Sequence, residues 1–148
     1  YKIRFSHYDG LKIPFKDETF DVITAYAVIE HVFPPDLDKV MREIRRVLKK
    51  DGLLFVFKCP RTLSYNEHFT KLAGIKAHDL LFSDRQVKEL FKKHKFKTIK
   101  YWRSDMVPAF PAKIINPFYR FFKTLNQILT ISPLQLFAHH NNIIAKKT

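Results

Sequence analysis

Glycine is scarce in this chain of 148 residues: only Gly10, Gly52 and Gly74 occur. Average usage of about 7% would give about ten. No two of them lie close enough to form a phosphate-cradling loop, which excludes a self-contained P-loop or dinucleotide-binding fingerprint. Cys59 is the single cysteine. It rules out an internal disulfide framework and a multi-cysteine zinc site, and fits a reducing, cytoplasmic compartment. No apolar run approaches the roughly 18–20 residues a transmembrane helix needs, although peripheral membrane contact stays open. The opening Tyr1-Lys2-Ile3-Arg4 is no signal peptide. It has strand-like alternation and no initiator Met, so the chain reads as cut at its front.

What is present is a core former. Hydrophobic residues make up 46% and aromatic residues 15%, enough for one domain and hardly for two. The net charge of +13 is uneven: residues 1–74 carry 13 Lys/Arg against 10 Asp/Glu, and residues 75–148 carry 14 against 4. Such an excess invites an anionic partner where the cations cluster.

Along the chain, Ile3 to His7 reads as a short strand ended by a turn at Asp9-Gly10. Phe20 to Ala25 has little alternation and reads as a strand buried on both faces. After Pro34-Pro35, the residues Leu37, Val40, Met41, Ile44, Val47 and Leu48 keep one helical face apolar. Asp36 is placed to cap that helix, and Gly52 to turn the chain out of it. Leu53 to Phe57 is a continuous apolar strand stopped by Pro60. Ser83 and Gln86 make a capping box for a second helix, with Phe82 set to staple on Val87. Phe96 to Trp102 reads as a strand. Asn116-Pro117 opens a helix running from Phe118 to Leu129, and Leu134 to Lys146 reads as a last strand. Strands alternating with helices specify an α/β layered fold.

The order of short patterns resembles the class I S-adenosylmethionine-dependent methyltransferases, especially the broad group that methylates small molecules. Asp9-Gly10-Leu11-Lys12-Ile13-Pro14-Phe15 is similar to that family's Asp-x-x-x-Leu-Pro-Phe segment. Phe20-Asp21-Val22-Ile23, followed by Val28-Ile29-Glu30-His31-Val32, is similar to its Phe-Asp-Val-Val strand and Leu-Glu-His-Val helix start. Arg42-Glu43, Arg46-Val47-Leu48-Lys49 and Gly52 resemble its Glu-x-x-Arg-Val-Leu-Lys-Pro-Gly-Gly helix end, with Lys50-Asp51 where the family has Pro-Gly. The resemblance covers residues 1–102. It implies a Rossmann-like doubly wound sheet, amino-terminally truncated, because the family's first strand, its Gly-x-Gly loop and its ribose-binding acid lie upstream of Tyr1. The implied sheet order is three-two-one-four-five-seven-six, with the seventh strand antiparallel. Residues 1–148 would be a partial methyltransferase domain from strand three onward, and 103–133 a lid or acceptor-side helical insertion.

Methyl transfer from a sulfonium is an in-line displacement on an activated carbon, so a protein assists mainly by alignment and by excluding water. In an open α/β sheet the ligand sits at the carboxyl ends of the strands. The resemblance therefore implies S-adenosylmethionine beside Asp9, Gly10, Ala25 and Tyr26. The Asp9 carboxylate would accept from an amino group and the Gly10 amide would donate to a ring nitrogen; the plain alternative is that Asp9-Gly10 is only a turn. His31 lies where an acceptor would enter and is the candidate general base, since free histidine titrates near neutrality; its rival role is to cap a helix or loop. Asp21 is expected to hold a backbone turn. No metal is expected, because His139 and His140 would point to opposite faces of a strand. Cys59 is expected to be inert. The run from Arg85 to Lys100 is either a solvated helix face or a site for nucleic acid or an anionic surface. The Phe118–Leu129 stripe suits a lid, plain core or a membrane-surface helix.

Two functions follow. The first is methyl transfer from S-adenosylmethionine to a small-molecule or lipid-like acceptor, the partial chain being inactive alone. The second is a non-enzymatic module that binds nucleic acid or an anionic surface through the basic carboxyl-terminal half.

Overall fold

The computed structural model describes residues 3–72, 74, 78, 80–107 and 116–148. Four strands form one sheet: β1 (Phe20–Tyr26), β2 (Leu48–Pro60), β3 (Phe96–Ser104) and β4 (His140–Lys147), in the order β1-β2-β4-β3. β1 runs parallel to β2, while β4 is antiparallel to both β2 and β3. This is the expected succession four-five-seven-six with the seventh strand reversed, and the fold is Rossmann-like.

The α-helices among the described residues are α1 (Leu37–Val47), α2 (Tyr65–Leu72), α3 (Asp84–Lys93) and α4 (Tyr119–Ile131). α1 buries Val40, Met41, Ile44 and Val47, the face its spacing predicts. They share a core with Leu48, Leu54, Val56, Ile143 and Ala145 of the sheet and with Val87 and Phe91 of α3. Each large apolar side chain removed from water here contributes about 1.5–3 kcal/mol. α3 starts with the predicted capping box: Ser83 Oγ accepts from Gln86 N at 3.2 Å, and Gln86 Oε1 accepts from Ser83 N at 2.8 Å. Phe82 and Val87 are both buried in the same core.

Several local expectations fail for physical reasons. Residues 3–7 form no strand, and Ile3 and Phe5 are exposed. A strand needs a ladder partner, and none lies beside this stretch among the described residues. β1 is not buried on both faces: it is an edge strand, with Val22 and Tyr26 exposed and Ala25 its one buried residue. Asp36 does not cap α1; it ends a short 3₁₀ turn, Pro34–Asp36, and its Oδ1 accepts from Lys39 Nζ. Gly52 makes no turn out of α1, because β2 begins at once at Leu48, and the left-handed backbone falls on Asp51 (φ 62°). The last strand starts at His140 rather than Leu134. Pro133–Phe137 is a 3₁₀ segment, where Pro133 suits a first helical position and Ser132 Oγ accepts from Leu134 N.

α2 was not anticipated, although Ser64-x-x-Glu67 carries a cap signal and Ser64 Oγ accepts from Glu67 N at 3.3 Å. Of the 103–133 insertion, residues 108–115 lie outside the described residues. Within the remainder β3 continues to Ser104, and α4 buries none of its residues.

Candidate functional site at the carboxyl ends of the parallel strands

The Asp9–Phe15 segment is irregular, and a fork of charge fixes it to α1. Arg46 donates from Nη2 to Ile13 O and from Nη1 to Phe15 O, both at 2.9 Å, and from Nη1 to Asp17 Oδ1 at 2.7 Å. Glu43 Oε2 accepts from Arg46 Nη2 at 2.8 Å and from Ile13 N at 3.0 Å. The Glu-x-x-Arg pattern thus works as a structural clamp, in which two side chains one turn apart hold both polarities of one extended segment.

That segment presents Asp9 and Gly10. Asp9 Oδ1 accepts from Leu11 N and Lys12 N, each at 2.8 Å, so the turn reading is realised. The Lys12 and Leu11 amides hold its carboxyl below the usual range. Gly10 is left-handed (φ 79°), with open space where a Cβ would stand. Asp9, Gly10 and His31 line one cavity of about 370 Å³, together with Tyr8, Val28 and Phe33. Ala25 and Tyr26 do not line it. Ala25 is buried, whereas Tyr26 is exposed with its ring 6.5 Å from that of Phe57.

His31 closes a short 3₁₀ turn, Ile29–His31. Its side chain is 60% exposed, beside a Glu30 that is 2% exposed, with Nε2 4.0 Å from Glu30 Oε1. Glu30 Oε2 is buried without a hydrogen-bond partner among the described residues. Asp21 holds no turn; it pairs on the surface with Lys49 at 2.8 Å. Cys59 is buried, and burial together with the nearby Glu30 pushes its thiol up to about 12, which disfavours the reactive thiolate.

Sequence reasoning missed a histidine cluster at this same end of the sheet. Ring centres lie 6.2 Å apart for His31 and His78, 5.7 Å for His78 and His139, and 3.9 Å for His139 and His140. β4 is antiparallel, so its first residue pairs with the last of β2 (His140 with Pro60), and His139 arrives beside α2. His139 lies outside β4, so the opposite-faces argument does not apply to it. Its Nδ1 is 2.7 Å from Ser64 Oγ and its Nε2 3.3 Å from Asn66 Nδ2. Burial, then the neighbouring His140 and His78, lower His139 to about 4. His140 Nδ1 is 2.8 Å from Asp105 Oδ2, which also accepts from Lys58 Nζ at 2.7 Å. Burial pushes the Asp105 carboxyl up, but these hydrogen bonds outweigh it and hold it well below the ordinary value. Lys58, Asp105, His139 and His140 line a second cavity of about 500 Å³ that α4 borders through Tyr119 and Lys123.

The basic run from Arg85 to Lys100 is partly spent within the fold. Arg85 pairs with Glu89 and Lys93 with Asp38, while Lys88 and Lys100 lie over the rings of Tyr101 and Trp102. No helix among the described residues is long and apolar enough to cross a membrane.

Residues 1–56 match the methyltransferase domain family. Over 68 residues the chain is 46% identical to a sterol 4-C-methyltransferase of Caenorhabditis elegans, covering 43% of this chain and 20% of that protein. Over 119 residues it is 27% identical to a demethylmenaquinone methyltransferase of Lactobacillus johnsonii, covering 66% of this chain and 48% of that one. The chain thus spans between about a fifth and a half of these relatives. Among solved structures, a SAM-dependent methyltransferase of Methanosarcina mazei superposes with a TM-score of 0.65 at 14% identity, over 99% of this chain and 68% of that one. The YcgJ protein of Bacillus subtilis gives 0.58 at 21% identity, over 97% and 70%. By patterns, matched domain and sheet order together, the chain is similar to the class I S-adenosylmethionine-dependent methyltransferases and shares their fold.

Proposed function

We propose that this protein takes part in methyl transfer from S-adenosylmethionine to a small-molecule or lipid-like acceptor. The observation that carries the reading is the shared cavity: Asp9 and Gly10 reach it from one segment and His31 from the turn after β1. The chemistry of the donor set fits the cofactor. Asp9 keeps a carboxylate oxygen beyond the one used in its turn, and the open face of Gly10 lets a flat group approach the backbone. When bound, S-adenosylmethionine supplies the activated methyl group. Ala25 and Tyr26 stand at the end of β1 outside that cavity, and their part in this reading is to end the strand from which the His31 turn departs. His31 is mostly exposed at the mouth of the cavity, and an imidazole there suits proton removal from an acceptor hydroxyl or amine. Residues 1–148 act here as part of a methyltransferase domain, with 103–133 on the acceptor side. The sterol and demethylmenaquinone methyltransferases among the relatives favour a lipid-like acceptor, and a cytoplasmic setting suits the free Cys59.

Calorimetry of S-adenosylmethionine binding to the full-length protein tests this reading. Asp9→Ala is expected to weaken affinity by about tenfold, the scale of a lost charge-assisted hydrogen bond. His31→Gln is expected to lower kcat with affinity for the cofactor retained. Unchanged affinity in Asp9→Ala would reduce Asp9 to a turn residue.

A further inference from the structure

Outside the cavity assigned above, three potential ligands from three separate stretches converge: Glu67 on α2, His78 between α2 and α3, and His139 just before β4. Their ligand atoms all lie within 4.8 Å of one another. We propose that Glu67, His78 and His139 form a binding site for a divalent transition-metal ion of the zinc class.

The donor set comes first. Two imidazoles and one carboxylate suit zinc over magnesium or calcium, which take oxygen ligands. Tetrahedral coordination with bonds near ~2.0–2.2 Å needs ligand atoms roughly 3.3–3.5 Å apart, so closure from 4.8 Å or less is a matter of side-chain adjustment. Three protein ligands leave a fourth position for water.

The charges also favour a cation. Glu67 is 8% exposed, and its carboxylate accepts from His78 Nδ1 at 2.7 Å. His139 Nδ1 stands 3.8 Å from the same oxygen. The site is therefore a nearly buried carboxylate faced by two imidazoles. A cation would complete it, taking one lone pair from each imidazole and one from the carboxylate.

Groups outside the three ligands hold the His139 ring. Ser64 Oγ and Asn66 Nδ2 contact the two nitrogens of the His139 ring; the nitrogen that takes the ion gives up its contact, and the other keeps an outer-shell bond of the kind that orients metal-binding histidines. His139 and Asn66 also line the 500 Å³ cavity, which gives an ion and its water a route in.

The simpler arrangement, an ion pair of His78 with Glu67, makes a different forecast, and the test separates them. The full chain is stripped with a chelator and titrated with Zn²⁺ by calorimetry, and with Co²⁺ by visible absorption. One equivalent of Zn²⁺ is expected to bind and to raise the melting temperature, while Co²⁺ gives the intense visible bands of a four-coordinate site. Glu67→Gln and His78→Ala are each expected to weaken binding at least about tenfold. Circular dichroism verifies that each variant is folded. His68→Ala is the control, because His68 bonds to the carbonyl of Ser64, just before α2, and is no ligand. Absence of saturable one-equivalent binding would overturn the proposal. So would equal losses in His68→Ala and His78→Ala, which mean adventitious histidine binding. These readouts do not involve methyl transfer, so the site and the proposed function stand or fall separately.

Discussion

Replacing Gly52 by alanine tests the packing of β1 on β2 more directly than any core truncation. A Cβ built there would lie 2.9 Å from Leu48 Cγ, 2.9 Å from Lys49 O and 3.0 Å from Asp21 O. Leu48 can adjust its rotamer, but the two carbonyls are backbone, one from each of the paired strands. The clash sits where the register jumps, since Phe20 pairs with Leu48 and Val22 already pairs with Leu53. Relief therefore requires β1 to move away from β2 or the bulge around Asp51 to open. Overpacking of this kind costs about 1–3 kcal/mol, which in a domain of this size lowers Tm by roughly 3–10 °C. Gly→Ala in a compatible backbone usually stabilises by about 0.4–1 kcal/mol through the unfolded chain, so the two lines of reasoning predict opposite signs. Thermal denaturation, with hydrogen exchange of the β1 amides as local readout, decides between them. A Gly52→Ala protein with an unchanged or higher Tm would refute the close-approach argument.

Ser83→Ala should lower stability by about 1 kcal/mol, because the Gln86 amide loses its acceptor; equilibrium unfolding in urea measures it. In the native protein at pH 8, Cys59 should resist thiol reagents until unfolding, and rapid native labelling would contradict its burial and raised pKa. His139 binds its proton more weakly in the fold (about 4) than free in the chain (6.5), so the unfolded state takes up more protons between those values. Its contribution to stability is present above about 6.5 and lost as pH falls toward 4; urea midpoints at pH 7 and 5 should differ less in His139→Gln. Arg46→Leu should speed exchange of the Ile13 amide and weaken cofactor binding while the β2–β4 amides stay protected.

Regular elements with their own signals were legible in the sequence. α1 and α3 have apolar faces at helical spacing, α3 has a capping box, and β2 is an apolar run. The Asp9-Gly10 turn and the Glu30-His31 pair could be placed beside one another because they sit in ordered patterns, and Asp9, Gly10 and His31 line the same cavity. The histidine cluster could not. His78 and His139 are brought together by the insertion of β4 between β2 and β3, a non-local event with no trace in local spacing. β1 misled for a related reason: Val22 and Ile23 look like core, but burial depends on what lies beyond the edge, which hydrophobicity alone does not specify.

The position of β4 also orders events in time. It is the last described strand in sequence, yet it stands inside the sheet and is the neighbour on which β3 pairs. While a ribosome still holds residues 140–147, the parallel pair β1–β2 can form, but β3 has no ladder and His139 has not reached α2. Pairing of Leu54 with Ala145, or of Phe55 with Ile144, closes a loop of about ninety residues, so assembly is slow by contact order. Until it happens two strand edges, those of β2 and β3, are open to other chains. A nascent or nicked protein lacking only β4 would therefore lose the β2–β4 and β3–β4 ladders at once and keep only β1–β2. A chaperone that shields β2 and β3 late in synthesis would protect the step on which the whole sheet depends.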